Sequence, residues 1–304
     1  MTGLKDRLID AGYGLGWSAV CRLPEPWARQ GFRLAADIAW RREGPRVSVL
    51  EGNLRRVIGP DAPGAELRDL SRQAMQSYLR YYLEAFRLQV LSPDRLLQST
   101  FDIGHLDQGM DYLASGRGVI YALPHMANYD LAGAWIIARG AGSFTTVAEV
   151  LKPDSVYRRY VEFREGLGME VLPASGGNSR FGILAQRLRA GKLVCLVCDR
   201  DVTGGGIEVE FFGEKARMMG GAAALAVHTG AALMPVILWF EGDHWGVHVA
   251  EEIRVPEHGS RREQTAAMMQ EVAAAFETGI RAHPQDWHML QPIFSADVDA
   301  AGPH

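Results

Sequence analysis

The chain has 304 residues, of which 47% are hydrophobic and 22% are charged, with a formal net charge of −4 at pH 7. These are ordinary globular values, and a chain of this length can bury the core of one large α/β domain or of two smaller ones. We find no internal repeat, low-complexity tract or linker, and treat residues 1–304 as a single domain with no expected nucleic-acid partner.

The N-terminal part of the chain is basic and aromatic. Residues 1–56 hold ten Lys and Arg against six Asp and Glu, a local charge of +4, while the rest of the chain carries −8. Four large aromatic residues are interleaved with these charges: Trp17, Trp27, Phe32 and Trp40. The pattern is typical of a segment that binds an anionic membrane surface, and it fits equally well a solvated helix pair with its aromatic side chains in the core.

The most apolar N-terminal run covers residues 8–23 and contains Asp10, Arg22 and three glycines. It is too short and too polar to span a bilayer, and it lacks the basic start and cleavage site of a signal peptide. We therefore expect a protein that is soluble or lies on a membrane, not one that crosses it.

The first 103 residues are predicted to be mostly helical. Apolar residues recur at helical spacing in segments 26–42, 49–58 and 67–91. The longest of these segments carries a group of aromatic residues that fits either a lipid groove or core packing: Tyr78, Tyr81, Tyr82 and Phe86.

From Gly104 to about residue 293 the pattern changes to alternating helices and strands. Strands are predicted at 118–123, 144–148, 169–173, 193–198, 207–212, 232–240 and 245–253. Helices are predicted at 106–115, 128–139, 154–167, 179–190, 219–230 and 261–282. Alternation at this spacing predicts an α/β fold with a mixed, mainly parallel central sheet flanked by helices and preceded by the N-terminal helical segment. Residues 294–304 are predicted to be a flexible tail.

One loop stands out as a candidate site. The strand that ends at Leu123 is followed by Pro124 and His125, and Asn128 is a good N-cap residue for the next helix. His125 therefore lies in a strand-to-helix loop, where sites in α/β proteins are usually found. Histidine can take a proton near neutral pH, and Asp130 can hold its other ring nitrogen if the chain folds back. The alternative is a solvated or structural histidine.

Charged residues also follow two other predicted strands. Glu149 comes directly after one of them, and Asp199 and Arg200 come directly after the apolar run that ends at Cys198. The carboxyl ends of strands in an open α/β sheet meet in one crevice, so we expect a site shared with His125. Solvated strand-end charges and a local ion-pair cluster at 199–201 are the alternatives.

Several other chemistries are not indicated. There is no G-x-S-x-G motif for a serine hydrolase and no P-loop, and the spacing of the histidines does not place two of them on one helix face as metal ligands. Cys195 and Cys198 match a C-x-x-C spacing, yet they lie in an apolar run and stand without a second pair, so we interpret them as reduced, buried core thiols of a cytosolic protein.

The residues also carry a resemblance to a known family. The His125-x4-Asp130 motif resembles the signature of glycerolipid-type acyltransferases. A wider set of segments is similar to phosphatidylinositol mannoside acyltransferases, within the lipid A lauroyl acyltransferase family: Thr145–Glu149, Phe163–Gly168, Arg200–Asp201, Phe211–Glu214, Trp239–Gly242 and Asp286–Pro292. The resemblance covers the chain from the N-terminal helices to about residue 293.

The resemblance implies a glycerophosphate-acyltransferase-like fold. It implies transfer of a fatty acyl group, typically palmitoyl, from acyl-CoA to a mannose hydroxyl of a phosphatidylinositol mannoside. The enzyme would be peripheral on the cytoplasmic face of the cell membrane and would use no cofactor beyond the acyl-CoA donor substrate. From the positions that match the family motif, the resemblance implies that His125 is the catalytic base and Asp130 its partner. Glu149, Arg164 and Arg200 would bind substrate.

The chain departs from the family pattern at one position near the site. The residue before Arg200 is Glu in that pattern and Asp199 here, on a side chain shorter by one methylene. Direct contact with His125 and contact through a water are both open. The competing functions are acyl transfer to glycerol phosphate or to another glycolipid, and a non-catalytic lipid-binding protein of the same fold.

Overall fold

The computed structural model describes residues 16–150, 154–174, 177–201 and 204–301. Residues 16–22 are helical and lead into four helices: α1 (Glu25–Arg41), α2 (Pro45–Ile58), α3 (Gly64–Arg87) and α4 (Pro93–Ser99), with a 3-10 turn at Leu88–Val90. Proline at the first turn of α1, α2 and α4 starts these helices, because its missing N–H has no helical acceptor there. The predicted helical N-terminal segment is thereby confirmed for the described residues.

The α/β core contains strands β1 to β9: Thr100–Gly104, Val119–Leu123, Phe144–Ala148, Met169–Pro173, Leu193–Val197, Ile207–Phe211, Glu214–Met218, Ala232–Glu241 and His244–Val249. Helices α5 to α11 are Leu106–Ala114, Tyr129–Ile136, Asp154–Gly166, Gly177–Arg189, Gly221–Thr229, Arg261–Ala282 and Ser295–Ala301. A π-helical turn, Ile137–Ala141, extends α6, and a 3-10 turn, Pro284–Asp286, follows α10.

Seven strands form the central sheet in the order β1-β9-β8-β2-β5-β3-β4. All neighbouring strands are parallel except β8 and β9, which are antiparallel. The mixed, mainly parallel sheet predicted from the sequence is therefore confirmed. Strand β2 lies at its centre and is buried along its whole length, as expected of a strand covered by helices on both faces.

Helices cover both faces of this sheet. Buried residues of α8, α9 and α10 form one core with the first face, and buried residues of α4, α5, α6 and α7 form a second core with the other. A third, smaller core joins α2 to α3. Within the part of the chain that the structure describes, no helix has both the length and the apolar character needed to cross a bilayer.

The structure differs from the sequence prediction at three places. Residues 100–104 form an edge strand within the segment predicted to be helical, because β9 offers them a parallel partner. Strands β6 and β7 form an antiparallel hairpin outside the main sheet, and Ala216 of β7 makes a further single bridge with Phe294. The predicted flexible tail from residue 294 is wrong for residues 294–301, since Phe294 is fully buried and Ser295–Ala301 is helical.

Candidate active site

The loop between β2 and α6 turns sharply and is held by backbone hydrogen bonds. Ala127 has a φ of 43°, in the left-handed region that a non-glycine residue rarely adopts. Its N–H donates to the carbonyl of Asp286 at 2.9 Å. Asn128 then caps α6, its side-chain oxygen accepting the N–H of Leu131 at 3.0 Å. The turn fixes His125 at the end of β2, ahead of the helix.

His125 pairs with Asp199. Nδ1 of the imidazole lies 2.5 Å from Oδ1 of Asp199, and the backbone N–H of His125 donates to Oδ2 at 2.8 Å. The parallel register of β2 and β5 explains this contact, because Leu123 lies opposite Val197 and each residue of the pair follows its strand by two positions. The shorter aspartate thus reaches the histidine directly.

The Asp199 carboxylate is fully buried and fully hydrogen-bonded. Besides the two contacts with His125, Oδ2 accepts the indole N–H of Trp287 at 3.0 Å. Burial alone would raise the pKa of Asp199, but the charge of His125 and the hydrogen bonds from His125 and Trp287 hold it below its ordinary value. Asp199 is therefore ionised at neutral pH and keeps Nδ1 of His125 protonated, so that Nε2 is free to accept a proton.

Asp130 does not pair with His125, so the predicted partner of the base is wrong. Oδ1 of Asp130 accepts from Nε of Arg164 at 2.7 Å, and Oδ2 accepts the hydroxyl groups of Tyr81 and Tyr160 at 2.7 and 2.8 Å. Asp130 lies in the first turn of α6, which directs its side chain toward α3 and α7 and away from the loop that carries His125. Its observed contacts make it part of a buried cluster that ties three helices together.

Two tyrosines complete the Asp130 cluster. Tyr81 and Tyr160 also contact each other through their hydroxyl oxygens. Burial, reinforced by the charge of Asp130, raises the pKa of both tyrosines far above its ordinary value, so both remain proton donors. For Tyr81 the core-packing interpretation is confirmed, since its side chain is buried.

The remaining predicted site residues lie at neighbouring strand ends. Nη2 of Arg200 contacts Oε2 of Glu149 at 3.0 Å, and both follow strands adjacent in the sheet, β5 and β3. Glu149 is largely exposed, with 56% of its side-chain surface accessible, whereas Arg200 is mostly covered. This pair forms a polar rim at the edge where His125 and Asp199 meet.

Sequence reasoning missed the residues that line the site from the C-terminal side. Met126 and Trp287 form an antiparallel β-bridge, and the N–H of His288 donates to the carbonyl of His125 at 2.7 Å. The side chain of His288 is buried and contacts Ser77 at 2.8 Å. The segment 286–292 carries a family resemblance, and that resemblance was the one signal available; no periodicity or spacing marks its role.

An apolar pocket runs beneath the sheet beside this site. It encloses about 680 Å³ of empty space, part of it open to solvent, and its wall is formed by six neighbouring strands, from β9 to β4. At a strand spacing of about 4.8 Å the pocket crosses about 24 Å of sheet. Leu123, Tyr129, Asp130 and Arg164 line it next to the loop that carries His125. The ring of Tyr129 also contacts the His125 imidazole, with 6.2 Å between their centroids.

The cysteines have no catalytic geometry. Cys21, Cys195 and Cys198 are all free, and Cys198 is buried. Burial raises the pKa of the Cys195 and Cys198 thiols far above its ordinary value, which leaves them uncharged. The prediction of a buried core thiol is confirmed for Cys198, whereas Cys195 is half-buried and lines the apolar pocket.

Comparison with known proteins identifies the family. Residues 7–295 match the family model of bacterial lipid A biosynthesis acyltransferases. A protein of Mycolicibacterium smegmatis named phosphatidylinositol mannoside acyltransferase is 45% identical over 97% of this chain and 94% of its own length. A Mycobacterium tuberculosis protein of the same name is 46% identical over 95% of this chain and 89% of its own length. The chain therefore belongs to the bacterial lipid A biosynthesis acyltransferase family and is an acyltransferase.

Proposed function

We propose that this enzyme transfers a fatty acyl group from acyl-CoA to a mannose hydroxyl of a phosphatidylinositol mannoside. The acyl group that we propose is palmitoyl. The observation that carries the proposal is the pairing of His125 with a buried, ionised Asp199 directly beside an apolar pocket whose wall crosses six strands. The name shared by the relatives supports the choice of acceptor.

His125 acts as the general base. A sugar hydroxyl is a poor nucleophile until a base takes its proton during attack. With Nδ1 protonated and held by Asp199, Nε2 accepts that proton while the hydroxyl oxygen attacks the thioester carbonyl. The imidazolium formed is stabilised by the carboxylate, and it returns the proton to the departing CoA thiolate. The ester bond forms as the thioester bond breaks, without an acyl-enzyme and without a further cofactor.

The start of helix α6 offers donors for the tetrahedral oxyanion. The N–H of Leu131 is taken by the Asn128 cap, whereas the N–H groups of Tyr129 and Asp130 donate to no described residue. Free N–H groups at a helix N-terminus stabilise negative charge. We infer that they receive the developing charge on the thioester oxygen.

The pocket beneath the sheet receives the acyl chain. Its walls are largely aliphatic and aromatic, so an acyl chain that enters it loses its contact with water, which is favourable. Arg164 lines the pocket while its Nε is held by Asp130, and it supports the wall beside the reacting centre. Arg200, at the polar rim with Glu149, is positioned to pair with a phosphate of the donor or of the lipid acceptor.

Exposed apolar side chains on helix α1 support our proposal that the enzyme binds peripherally to the cytoplasmic face of an anionic membrane. Trp27, Leu34 and Ile38 on one side of the helix are exposed, with 73%, 58% and 42% of their surface accessible, and Leu23 precedes the helix with 46%. Their spacings of four and seven residues place them on one stripe. Arg33 and Arg41 of the same helix are exposed, so apolar insertion and attraction to anionic lipid act together. Trp17 and Trp40 instead make hydrogen bonds to Phe86 and Ser71.

An acyl-transfer assay tests this function. Purified enzyme is incubated with labelled palmitoyl-CoA and phosphatidylinositol mannoside, and the product is identified by mass spectrometry as the acceptor acylated on mannose. His125→Ala is expected to lower the rate by about 10²–10⁴, while its circular dichroism spectrum shows that the protein remains folded. Binding of palmitoyl-CoA without any acylated product would indicate a lipid-binding protein, and acylation of glycerol phosphate or another glycolipid alone would contradict the proposed acceptor.

A further inference from the structure

We propose that Trp287 is a positioning residue for the acyl transfer: its indole N–H orients the Asp199 carboxylate so that one oxygen faces His125. The inference rests on the proposed function of His125 as the base and Asp199 as its partner. It adds a residue from a C-terminal segment of the chain to a pair formed by two strand ends.

The two oxygens of Asp199 have different partners. Oδ2 accepts two N–H groups, that of the His125 backbone at 2.8 Å and that of the Trp287 indole at 3.0 Å. Oδ1 is left for Nδ1 of His125, at 2.5 Å. Two donors on one oxygen fix the rotation of the carboxylate. Removing one of them leaves a buried, charged oxygen without one of its hydrogen bonds. That loss costs more free energy than the loss of a hydrogen bond between neutral groups.

Water is poorly placed to replace the indole. Asp199 and Trp287 both have no accessible surface. The indole ring lies beside Phe211 and Phe212, with centroids 5.9 and 6.0 Å away, and these rings close the space around it. A phenylalanine at position 287 therefore keeps most of the ring contacts and offers no donor.

The backbone around Trp287 fixes the direction of the indole. The N–H of Ala127 donates to the Asp286 carbonyl, and the N–H of His288 donates to the His125 carbonyl, at 2.9 and 2.7 Å. These bonds flank the bridge between Met126 and Trp287. The catalytic loop and the segment 286–288 consequently move as one unit, which holds the indole N–H aimed at Asp199.

Three groups close to the pair titrate far from neutral pH. Burial lowers the pKa of His288 to about 3 and raises the pKa of Tyr129 to about 12. Burial, together with the charge of Asp199, also raises the pKa of Cys198 far above its ordinary value. Asp286 is the exception, since burial raises its pKa to about 6 and it accepts from Ser77, which contacts His288. Because Asp286 is present in every variant compared below, a shift of the acid limb between them reports the His125–Asp199 pair as a unit.

The test compares Trp287→Phe with wild type. We expect kcat to fall about 10-fold or more, since a hydrogen bond to a charged group is lost, with the KM for palmitoyl-CoA unchanged. Loss of a donor to the carboxylate makes the pair more basic, so the acid limb of kcat/KM should move to higher pH. The downfield proton resonance of the His125 Nδ1–H should shift as well, a readout that needs no substrate.

Two further variants keep the test decisive. Trp239→Phe is the matched control, because this buried indole donates no hydrogen bond to a described residue, and it should leave kcat, the acid limb and the resonance unchanged. Replacing Trp287 by benzothienylalanine substitutes sulfur for N–H in a ring of the same shape and carries the test if Trp287→Phe does not fold.

The outcomes separate this inference from the proposed function. A lower kcat with an unmoved acid limb and resonance would mean that Trp287 acts through packing alone, and would overturn the inference. Wild-type values in both Trp287 variants would overturn it too. Full turnover in His125→Ala would instead contradict the proposed base, while the resonance would still report whether Trp287 orients Asp199.

Discussion

Arg164 and Asp130 form a buried ion pair, with Nε of the arginine 2.7 Å from Oδ1 of the aspartate and both side chains less than a tenth exposed. The hydroxyl groups of Tyr81 and Tyr160 satisfy the second oxygen. The pair joins α6, which begins at the catalytic loop, to α7. Its position gives it a structural role beside the site, with consequences for stability that differ from those of a surface pair.

Asp130→Asn is expected to destabilise the fold. The change leaves Arg164 as a buried charge without its carboxylate, and breaking a buried pair on one side costs about 3–5 kcal/mol. Urea unfolding followed by circular dichroism measures the loss. The matched control is Glu170→Gln, which breaks the half-exposed pair with Arg187 and should cost about 0–1 kcal/mol. Equal stability of the two variants would contradict the structural role of Asp130.

Two substitutions of Asp199 should lower turnover. One removes the charge of the side chain, and the other lengthens it. Asp199→Asn removes the charge that stabilises the imidazolium, and we expect kcat to fall by about 10²–10⁴. Asp199→Glu keeps the charge, but the added methylene enters a site with no free surface, where overpacking costs about 1–3 kcal/mol. Because Asp199 already contacts His125 directly at 2.5 Å, a longer side chain has no gap to close, and we expect Asp199→Glu to lower activity.

The measurements for Asp199 are the pH dependence of kcat/KM and the melting temperature of each variant. The asparagine variant should remain folded, with a lower melting temperature and little turnover left. Near-wild-type turnover in a folded asparagine variant would remove Asp199 from the mechanism.

Acid should destabilise the protein through His288. Burial lowers the pKa of His288 to about 3, from an ordinary value of 6.5. As the pH falls, the unfolded chain therefore binds a proton at His288 that the native state does not bind. The stabilisation is complete above about pH 6.5 and is lost as the pH falls toward 3, by about 1.4 kcal/mol per pH unit inside that window.

His288→Gln tests this linkage. The amide can still contact Ser77 but does not titrate, so its free energy of unfolding should fall less between pH 7 and pH 5 than that of the wild type. Asp286, whose pKa burial raises to about 6, contributes in the opposite direction in both proteins. The difference between the two urea titrations isolates His288, and identical slopes would refute the prediction.

Membrane binding should depend on the exposed stripe of helix α1. Replacing Trp27 and Leu34 together by serine removes the two most exposed apolar side chains of this stripe and should weaken binding to anionic vesicles at least 10-fold in a sedimentation assay. Binding of the wild type should also fall as salt rises, because exposed charges are screened. Val255→Ser, at an exposed valine outside the N-terminal segment, is the control. Unchanged binding of the double variant would exclude this face.

Most of the architecture could be predicted because it follows from periodic patterns. The alternation of apolar strands with helices specifies the mixed sheet, and the placement of His125, Glu149 and Asp199 directly after strands brings them to one edge. The partner of His125 could not be predicted from spacing in sequence. Asp130 is five residues away but belongs to a helix that turns its side chain elsewhere, whereas Asp199 is 74 residues away and adjacent through strand register.

The contact of Trp287 with Asp199 could not be predicted from the sequence, for a different reason. It lies in an irregular segment after a 3-10 turn, where no hydrophobic period reports which way a side chain faces. Its role depends on a bridge of a single residue pair to Met126. Local sequence likewise does not reveal the pairing partners that form the edge strand β1 and the β6–β7 hairpin.

The pocket beneath the sheet takes its wall from six strands, and the residues that form it extend from Leu106 to Val249. It therefore exists only when the whole core is folded, and a ligand that fills it binds the native state alone. By mass action a donor at 100 times its dissociation constant would stabilise the fold by about 2.7 kcal/mol. The population of unfolded enzyme, and with it the exposure to proteolysis, should consequently fall when acyl donor is abundant and rise when the supply runs out.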